Sequence, residues 1–484
     1  MVKTTLSNHG YKIKKCELDT SEIKKIKNEL TVHPFSYNDF GEKNEKRFSL
    51  YLESPNSLYI PRFYGFDNFG EPTSSKISEG TSIDIQFKGS MRDEQMPVIN
   101  SYMESANKIG GGLISLQCGG GKTVISLYLL SILKKKTIVI VHKDFLMTQW
   151  RDRILQFLPD ARIGKVQQDT IDIENKDIVL AMVQSLSQKE YPENTFKSFG
   201  LAIFDECHHL GAEVFSRSMS KVASKYMLGL SATPNRKDGL RKGFEWFIGP
   251  MVYSTKTEHT DFIETRIYEY YSDDPQYSKE EKLYNGKQCL PRMINNVCEY
   301  EPRKLFISEL VDTEFQLGRK VLILCDRRDY LVWTMNYFNH KYSKKCAGLY
   351  VGGMKPTELR DSQEKDIILG TFSMASEGMD IPKLNTIVFS SPKSDVVQSV
   401  GRILREKAQD RKYHPLVIDI KDIHPNLSMF DKQCEKRIKY YKKCNHQITL
   451  YASDGTIEKI EKKKKKSTKK IKEAYEINEC LLDD

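Results

Sequence analysis

Residues 111–130 read GGLISLQCGGGKTVISLYLL. An apolar run at 112–117 ends in a glycine turn, Gly119-Gly120-Gly121-Lys122-Thr123, and a second apolar stretch, 122–133, follows at helical length. Strand, turn and helix in this order are the setting a phosphate loop needs. Glycines let consecutive backbone N–H groups point inward around an anion, and the helix start adds positive potential. In that frame Cys118, Gly119, Gly120 and Gly121 form the cradle, Lys122 reaches the β/γ-phosphates of ATP, and Thr123 holds Mg²⁺. One position departs from the generic GxxxxGK[ST] spacing: Leu116 stands where the first glycine is expected.

Outward from this stretch, short apolar runs alternate with helical ones. TIVIV at 137–141, DIVLAMV at 177–183, LAIF at 201–204 and MLGL at 227–230 read as strands, with a helix at 145–157 between the first two. Continuous apolar runs of this length are strands covered on both faces, so the pattern is α/β with a parallel sheet. It restarts with a helix from Pro302 and strands at 321–325, 347–351, 367–369, 386–390 and 416–420. Helices at 330–338 and near 396–404 separate some of them, giving a second α/β domain of similar size. Residues 201–208 read LAIFDECH, an apolar strand ending in two acids. Ligands bind at the carboxyl ends of parallel strands. There Asp205 holds the Mg²⁺ shell through water, and Glu206 accepts a proton from, or orients, an attacking water.

With GGGKT upstream, DECH resembles motifs II and I of the superfamily 2 helicases. Further motifs follow in family order. Arg92 and Gln95 of MRDEQ resemble the adenine-reading segment, and Val141–Trp150 (VHKDFLMTQW) the first strand-contacting motif. Residues 184–187 and 371–373 resemble further strand-contacting segments, and Ser231-Ala232-Thr233 the coupling motif. Gly370–Pro382 (GTFSMASEGMDIP) resembles motif V and implies that Asp380 meets the nucleotide; Gln398–Arg405 (QSVGRILR) fits QxxGRxxR. Spacings of 4 and 3 put Gln398, Arg402 and Arg405 on one face if the segment is α-helical. The resemblance implies that this face crosses the interdomain cleft, that Arg402 and Arg405 act as arginine fingers, and that Gln398 pairs with His208. It implies two tandem RecA-like domains, ATP and Mg²⁺ as cofactors, and DNA and/or RNA as partner. Thr233–Asp238 (TPNRKD) carries Lys237 where helicases of the XPB kind carry the Glu of an Arg-Glu-Asp strand-separating element. The small N-terminal unit and the NRKDGL segment look most like helicases of large DNA viruses, including the poxvirus transcript-release type.

These readings divide the chain into an N-terminal β-rich or α+β accessory unit at 1–90 and an ATP-binding domain at 91–250. An insertion or linker at 251–300, a second RecA-like domain at 301–455 and a Lys-rich tail at 456–484 complete it. Within the first unit, residues 49–53 and 57–60 read as strands, 66–70 as turn and 74–80 as linker. Lys279, Lys282, Lys287 and Arg292 make 251–300 either a lobe against nucleic acid or a solvated linker helix.

The 484 residues suit two or three domains. The formal charge of +10 is concentrated: between Lys459 and Lys472 stand nine Lys and one acid, Glu461. The body is therefore near neutral, and the tail is an electrostatic arm, a solvated tail or a localisation signal. No run approaches the length of a membrane span, and the first residues lack an apolar signal core, so a membrane or secreted protein is not expected. Ten scattered Cys without a CxxC point to reduced thiols and no zinc. Trp150, Trp246 and Trp333 read as packing residues. The expected function is an ATP-dependent helicase or translocase, with transcription machinery as a further partner. It would reside in a cytoplasmic viral factory or virion if viral, and in the nucleus otherwise. The alternatives are a transcript-releasing translocase that separates no strands and a non-catalytic scaffold, which the intact Lys122, Asp205, Glu206 and Arg405 disfavour.

Overall fold

The computed structural model describes residues 2–32, 48–116, 119–192, 194–206, 212–219, 221–231, 241–255, 262–343, 345–379, 381, 383–406 and 408–460. Cys118, His208, residues 232–240 with Thr233 and Lys237, Asp380, Pro382 and the tail from Glu461 lie outside these.

Two eight-stranded sheets dominate. The first runs Thr170–Asp172, Ile163–Gln167, Ile178–Met182, Thr137–Val141, Leu201–Phe204, Tyr226–Ser231, Gly111–Ser115 and Met251–Ser254. All its pairs are parallel except the first. Period-2 alternation sends side chains to two separate cores. Val139, Val141, Leu201 and Ile203 enter one, with Ile114, Trp150 and the helix Lys122–Leu133; Ile138, Ile140, Ala202 and Phe204 enter the other.

The second sheet runs Ala347–Tyr350, Ile367–Gly370, Val321–Leu324, Thr386–Phe389, Leu416–Asp422, Glu264–Tyr270, Gln447–Tyr451 and Ile457–Ile460. It too has two cores, split between Val321 and Ile323 on one face and Leu322 and Leu324 on the other.

Several boundaries differ from the sequence reading. The segment 251–300 is no insertion. Met251–Ser254 closes the first sheet, Glu264–Tyr270 lies inside the second, and Tyr277, Met293 and Val297 are in the second core. Its polar alternation, ETRIYEY, disguised a strand whose buried residues are Thr265 and Ile267. Residues 81–90 belong to the first α/β domain: Thr81 N donates to Ser198 O at 2.8 Å, and the Phe87 ring stacks on Phe157. Ile457–Ile460, expected in the tail, pairs with Gln447–Tyr451.

Among the described residues the N-terminal unit has a five-stranded sheet, Leu52–Glu53, Ser57–Ile60, Gly10–Lys14, Thr4–Ser7 and Ser74–Ser75, a small pair, Thr31–Val32 with Phe48–Ser49, and helices Thr20–Glu29 and Arg62–Phe69. The second helix replaces the expected turn at 66–70, and Ser74–Ser75 is a strand within the expected linker. The helix packs because Gly65 has no Cβ: one would stand 2.2 Å from the Tyr11 ring. At its start Arg62 donates to Ile109 O at 2.7 Å and to Lys225 O at 3.0 Å, which fastens the unit to the first α/β domain. Tyr64 meets Trp246 edge-on at 5.2 Å.

Candidate active site

Parallel pairing puts the carboxyl ends of Gly111–Ser115 and Leu201–Phe204 on one rim, with Tyr226–Ser231 between them. Leu116, the residue that breaks the generic glycine spacing, is buried in the core, and its N–H donates to Ser231 O at 3.1 Å. The strand thus runs one residue further before the turn. Gly119 and Gly121 have φ of +83° and +82°, a region open to glycine and costly for other residues. Gly121 caps the helix Lys122–Leu133, which carries Thr123 in its first turn.

The turn is also a point of close approach. A Cβ on Gly121 would stand 2.3 Å from Gln95 Nε2 and 3.5 Å from Arg92 Nη2. Gln95 is buried, and its Oε1 accepts from Arg92 N at 3.0 Å. The helix Met96–Ile109 follows directly, with Pro97 in its first turn. The two residues of the MRDEQ segment therefore border the glycine turn.

Lys122 Nζ and Glu206 Oε1 are 2.7 Å apart, a nearly buried ion pair joining positions 84 residues apart in sequence. Glu206 has φ +47°, a left-handed conformation that is uncommon for a non-glycine residue and costs about 1 kcal/mol or more. The turn takes the chain off the strand end at the residue whose carboxylate meets Lys122. Asp205 is buried, and its Oδ2 accepts from Trp150 Nε1 at 2.8 Å. Burial pushes the Asp205 pKa up to about 6, and the Glu206 charge adds to the rise; Lys122, the indole donor and His142 oppose it. Trp150 is thus more than a packing residue, and sequence offered no sign of it. Its partner is 55 positions away and on another element.

The segments that resemble strand-contacting motifs also converge. Gln184 Nε2 donates to His142 O at 2.9 Å, tying 184–187 to the segment at 141–150. Phe145 packs against cores of both α/β domains, where the helices Asp144–Phe157 and Phe372–Gly378 touch. Thr371 and Ser373, with hydroxyls 3.4 Å apart, open the latter helix.

Gln398, Arg402 and Arg405 lie in the second domain, but not on one continuous α-helix. The α-turns Val397–Val400 pass into a 3-10 segment, Gly401–Leu404, which changes the phase. Arg402 is buried, and its Nη1 donates to Met379 O at 2.8 Å, which ties QxxGRxxR to the motif V segment. Gln398 and Arg405 are half-buried.

Residues 88–236 match the family described as "Type III restriction enzyme, res subunit", and residues 303–407 match "Helicase conserved C-terminal domain". Protein L396 of Acanthamoeba polyphaga mimivirus, which bears the provisional name of an ATP-dependent RNA helicase, is 36% identical over 460 residues. The alignment covers 93% of this chain and 87% of that one. The chain is a superfamily 2 helicase. XPB2 of Sulfurisphaera tokodaii, named a DNA 3'-5' translocase, is 34% identical to this helicase over 175 residues, 36% of this chain and 38% of its own. A solved fragment from Vibrio vulnificus YJ016, provisionally named an HsdR subunit of a type I restriction enzyme, shares the fold. It covers 77% of the helicase and 71% of its own chain, with TM-score 0.52 and 18% identity. The helicase is an ATP-hydrolysing enzyme that acts on nucleic acid. Among the described residues, no helix is long and apolar enough to cross a membrane.

Proposed function

We propose that the helicase moves along DNA or RNA and separates strands in viral transcription, with the ATP-hydrolysing site at Lys122, Asp205 and Glu206. The observation that carries this reading is the Lys122–Glu206 ion pair beside the glycine turn. The space around Gly119, where a Cβ would find no atom of the described residues within 4 Å, and the raised pKa of the Asp205 carboxyl both fit a triphosphate with its cation. Thr123 and Asp205 are the residues suited to hold Mg²⁺, which when bound neutralises charge on the phosphate oxygens.

In this reading Arg92 and Gln95 hold the nucleotide beside the glycine turn, and Lys122 exchanges its carboxylate partner for phosphate. Release from Lys122 leaves Glu206 able to accept a proton from water. Arg402 and Arg405 add charge from the second domain beside Gln398; Asp380, outside the described residues, is assigned to the nucleotide by its motif alone. Arg402, bonded to Met379 O, has the further task of keeping motif V in register with QxxGRxxR. The names of the mimivirus and Sulfurisphaera relatives support RNA and DNA respectively. The viral source of the mimivirus relative supports a viral protein; residence in a cytoplasmic factory or virion and contact with transcription machinery are further parts of this proposal.

A second reading, transcript release without strand separation, is favoured by Lys237, which replaces the acid of the strand-separating element. ATPase rates with single-stranded DNA, duplex DNA and RNA, run beside strand displacement and release from stalled transcription complexes, test both. Stimulation with displacement supports the first, and stimulation with release alone supports the second. A rate that no nucleic acid raises would overturn both.

A further inference from the structure

The chain from Pro275 to Leu290 stands on the carboxyl-end rim of the second sheet. At one foot, Ser278 O accepts from Asn426 Nδ2 at 3.1 Å, and Asn426 lies just beyond the strand Leu416–Asp422. At the other, Arg327, just beyond the strand Val321–Leu324, donates to Pro291 O at 3.0 Å and to Asn295 Oδ1. Val321–Leu324 pairs in parallel with Ile367–Gly370, so Thr371 and Ser373 follow on the same rim.

Between these feet rises a small hairpin. Lys282 and Gln288 form an antiparallel bridge, Leu283 N donates to Lys287 O at 2.7 Å, and Gly286 N closes a β-turn on Leu283 O at 2.9 Å. Gly286 takes φ +78°, and Asn285 Oδ1 accepts from Lys287 N at 3.2 Å. Ion pairs Lys282–Glu280 at 2.9 Å and Lys279–Glu281 at 2.8 Å brace the stem. At the apex Tyr284 is fully exposed, with a relative accessibility of 109%, and Leu283 beside it is 45% exposed. The backbone under this ring is therefore held in one geometry while the ring itself stands in water.

Cations outnumber acids around the hairpin. Lys279 and Lys282 are paired with Glu281 and Glu280, Lys287 and Arg292 are exposed, and Arg327 donates to carbonyl and amide oxygens, which do not cancel its charge. One exposed ring among cations is a poor seat for an apolar protein helix, which needs a wider patch. It suits a polymer that offers flat aromatic faces and phosphates together.

We propose that Tyr284 is a base-stacking pin: the turn Leu283–Gly286 presents its ring to a nucleobase of a strand lying along this rim, with Lys287, Arg292 and Arg327 beside the phosphates. The inference rests on the nucleic-acid motor reading above. It is tested on the full chain with single-stranded oligonucleotides, by fluorescence anisotropy over a salt series. Tyr284→Ala weakens binding about 5- to 100-fold, and Tyr284→Phe stays within about twofold of wild type. The slope of log K against log salt is unchanged in Tyr284→Ala, because stacking releases no counterions. A Tyr284→Ala affinity within twofold of wild type overturns the pin and leaves the motor reading standing. Equal loss in Tyr284→Phe also overturns it, since the hydroxyl rather than the ring would be the contact. Failure of the wild type to bind any strand overturns both.

Discussion

Asp205 and Asp422 occupy comparable stations in the two α/β domains. Each is buried at the carboxyl end of the fifth strand of its eight-stranded sheet. Their surroundings are opposite. Asp422 receives Arg303 through two hydrogen bonds of 2.6 and 2.9 Å, and Tyr277 OH donates to it at 3.2 Å. Three residues earlier Asp419 accepts from Arg437 Nε at 2.8 Å and Tyr441 OH at 2.9 Å. Asp205 has the neutral Trp150 indole as a hydrogen-bond donor, while Lys122, a cation whose charge also acts on it, is directed at Glu206. A buried carboxylate that meets a guanidinium is compensated within the fold. A buried carboxylate whose pKa is held up to about 6 is compensated only when a cation or proton arrives. The second domain uses its buried acids to hold itself together, whereas Asp205 in the first meets a neutral donor and has a raised pKa.

The largest expected effect tests whether the second domain nevertheless acts on the first. Arg405→Ala should cut turnover by roughly 10³–10⁵ while nucleotide binding changes little, because its charge acts on the transition state. Single-turnover kinetics beside equilibrium nucleotide binding check this, and a normal turnover rate would mean the domains do not share a site. Next in size, Arg303→Ala should destabilise the protein by about 3–5 kcal/mol, because Asp422 is left buried and unpaired. Urea unfolding monitored in the second domain reads it; a loss below about 1 kcal/mol would show that the pair is not structural.

Lys122→Ala should lower turnover by about 10²–10³, the scale for removing a charge that stabilises a developing anion. It should also cost stability, but less than Arg303→Ala, because Glu206 loses this partner while keeping 15% of its side-chain exposure. Hydrolysis above a tenth of wild type would sink the assignment of the glycine turn to phosphate. The smallest effect has the opposite sign to Arg303→Ala. Asp205→Asn should raise stability at pH 7 by up to about 3 kcal/mol in the absence of nucleotide and divalent cation, while turnover falls. A raised carboxyl pKa means that the native state holds the proton longer than the unfolded chain. Stability is thus lost as pH rises from about 4 to about 6, and the full deficit stands above that. The gain from Asn should appear at pH 7 and vanish near pH 4. An equal gain at both values would assign it to packing instead of charge.

Motifs carried by contiguous residues were legible without coordinates. The glycine turn, the two acids after LAIF and the run QSVGRILR each announce themselves in a few positions. The apolar runs of both sheets were legible because strands covered on both faces have little room for polar residues. Glu264–Tyr270 escaped because its polar residues alternate with buried ones, and because it joins a sheet whose other strands come later in the chain. The Arg402 orientation escaped because a change from α to 3-10 winding leaves no mark on residue spacing.

By itself, then, the sequence determined which residue types stand in which local order, and with them the α/β class, the family and the ATP motifs, since each depends on neighbours along the chain. Only the tertiary structure decided which charges meet. Lys122 reaches Glu206, Trp150 reaches Asp205, and Arg303 reaches Asp422 across 84, 55 and 119 positions. Burial then sets whether each carboxylate is satisfied or waiting. No local pattern encodes those pairings, because pairing energy depends on distance and dielectric in space, which chain order alone does not specify.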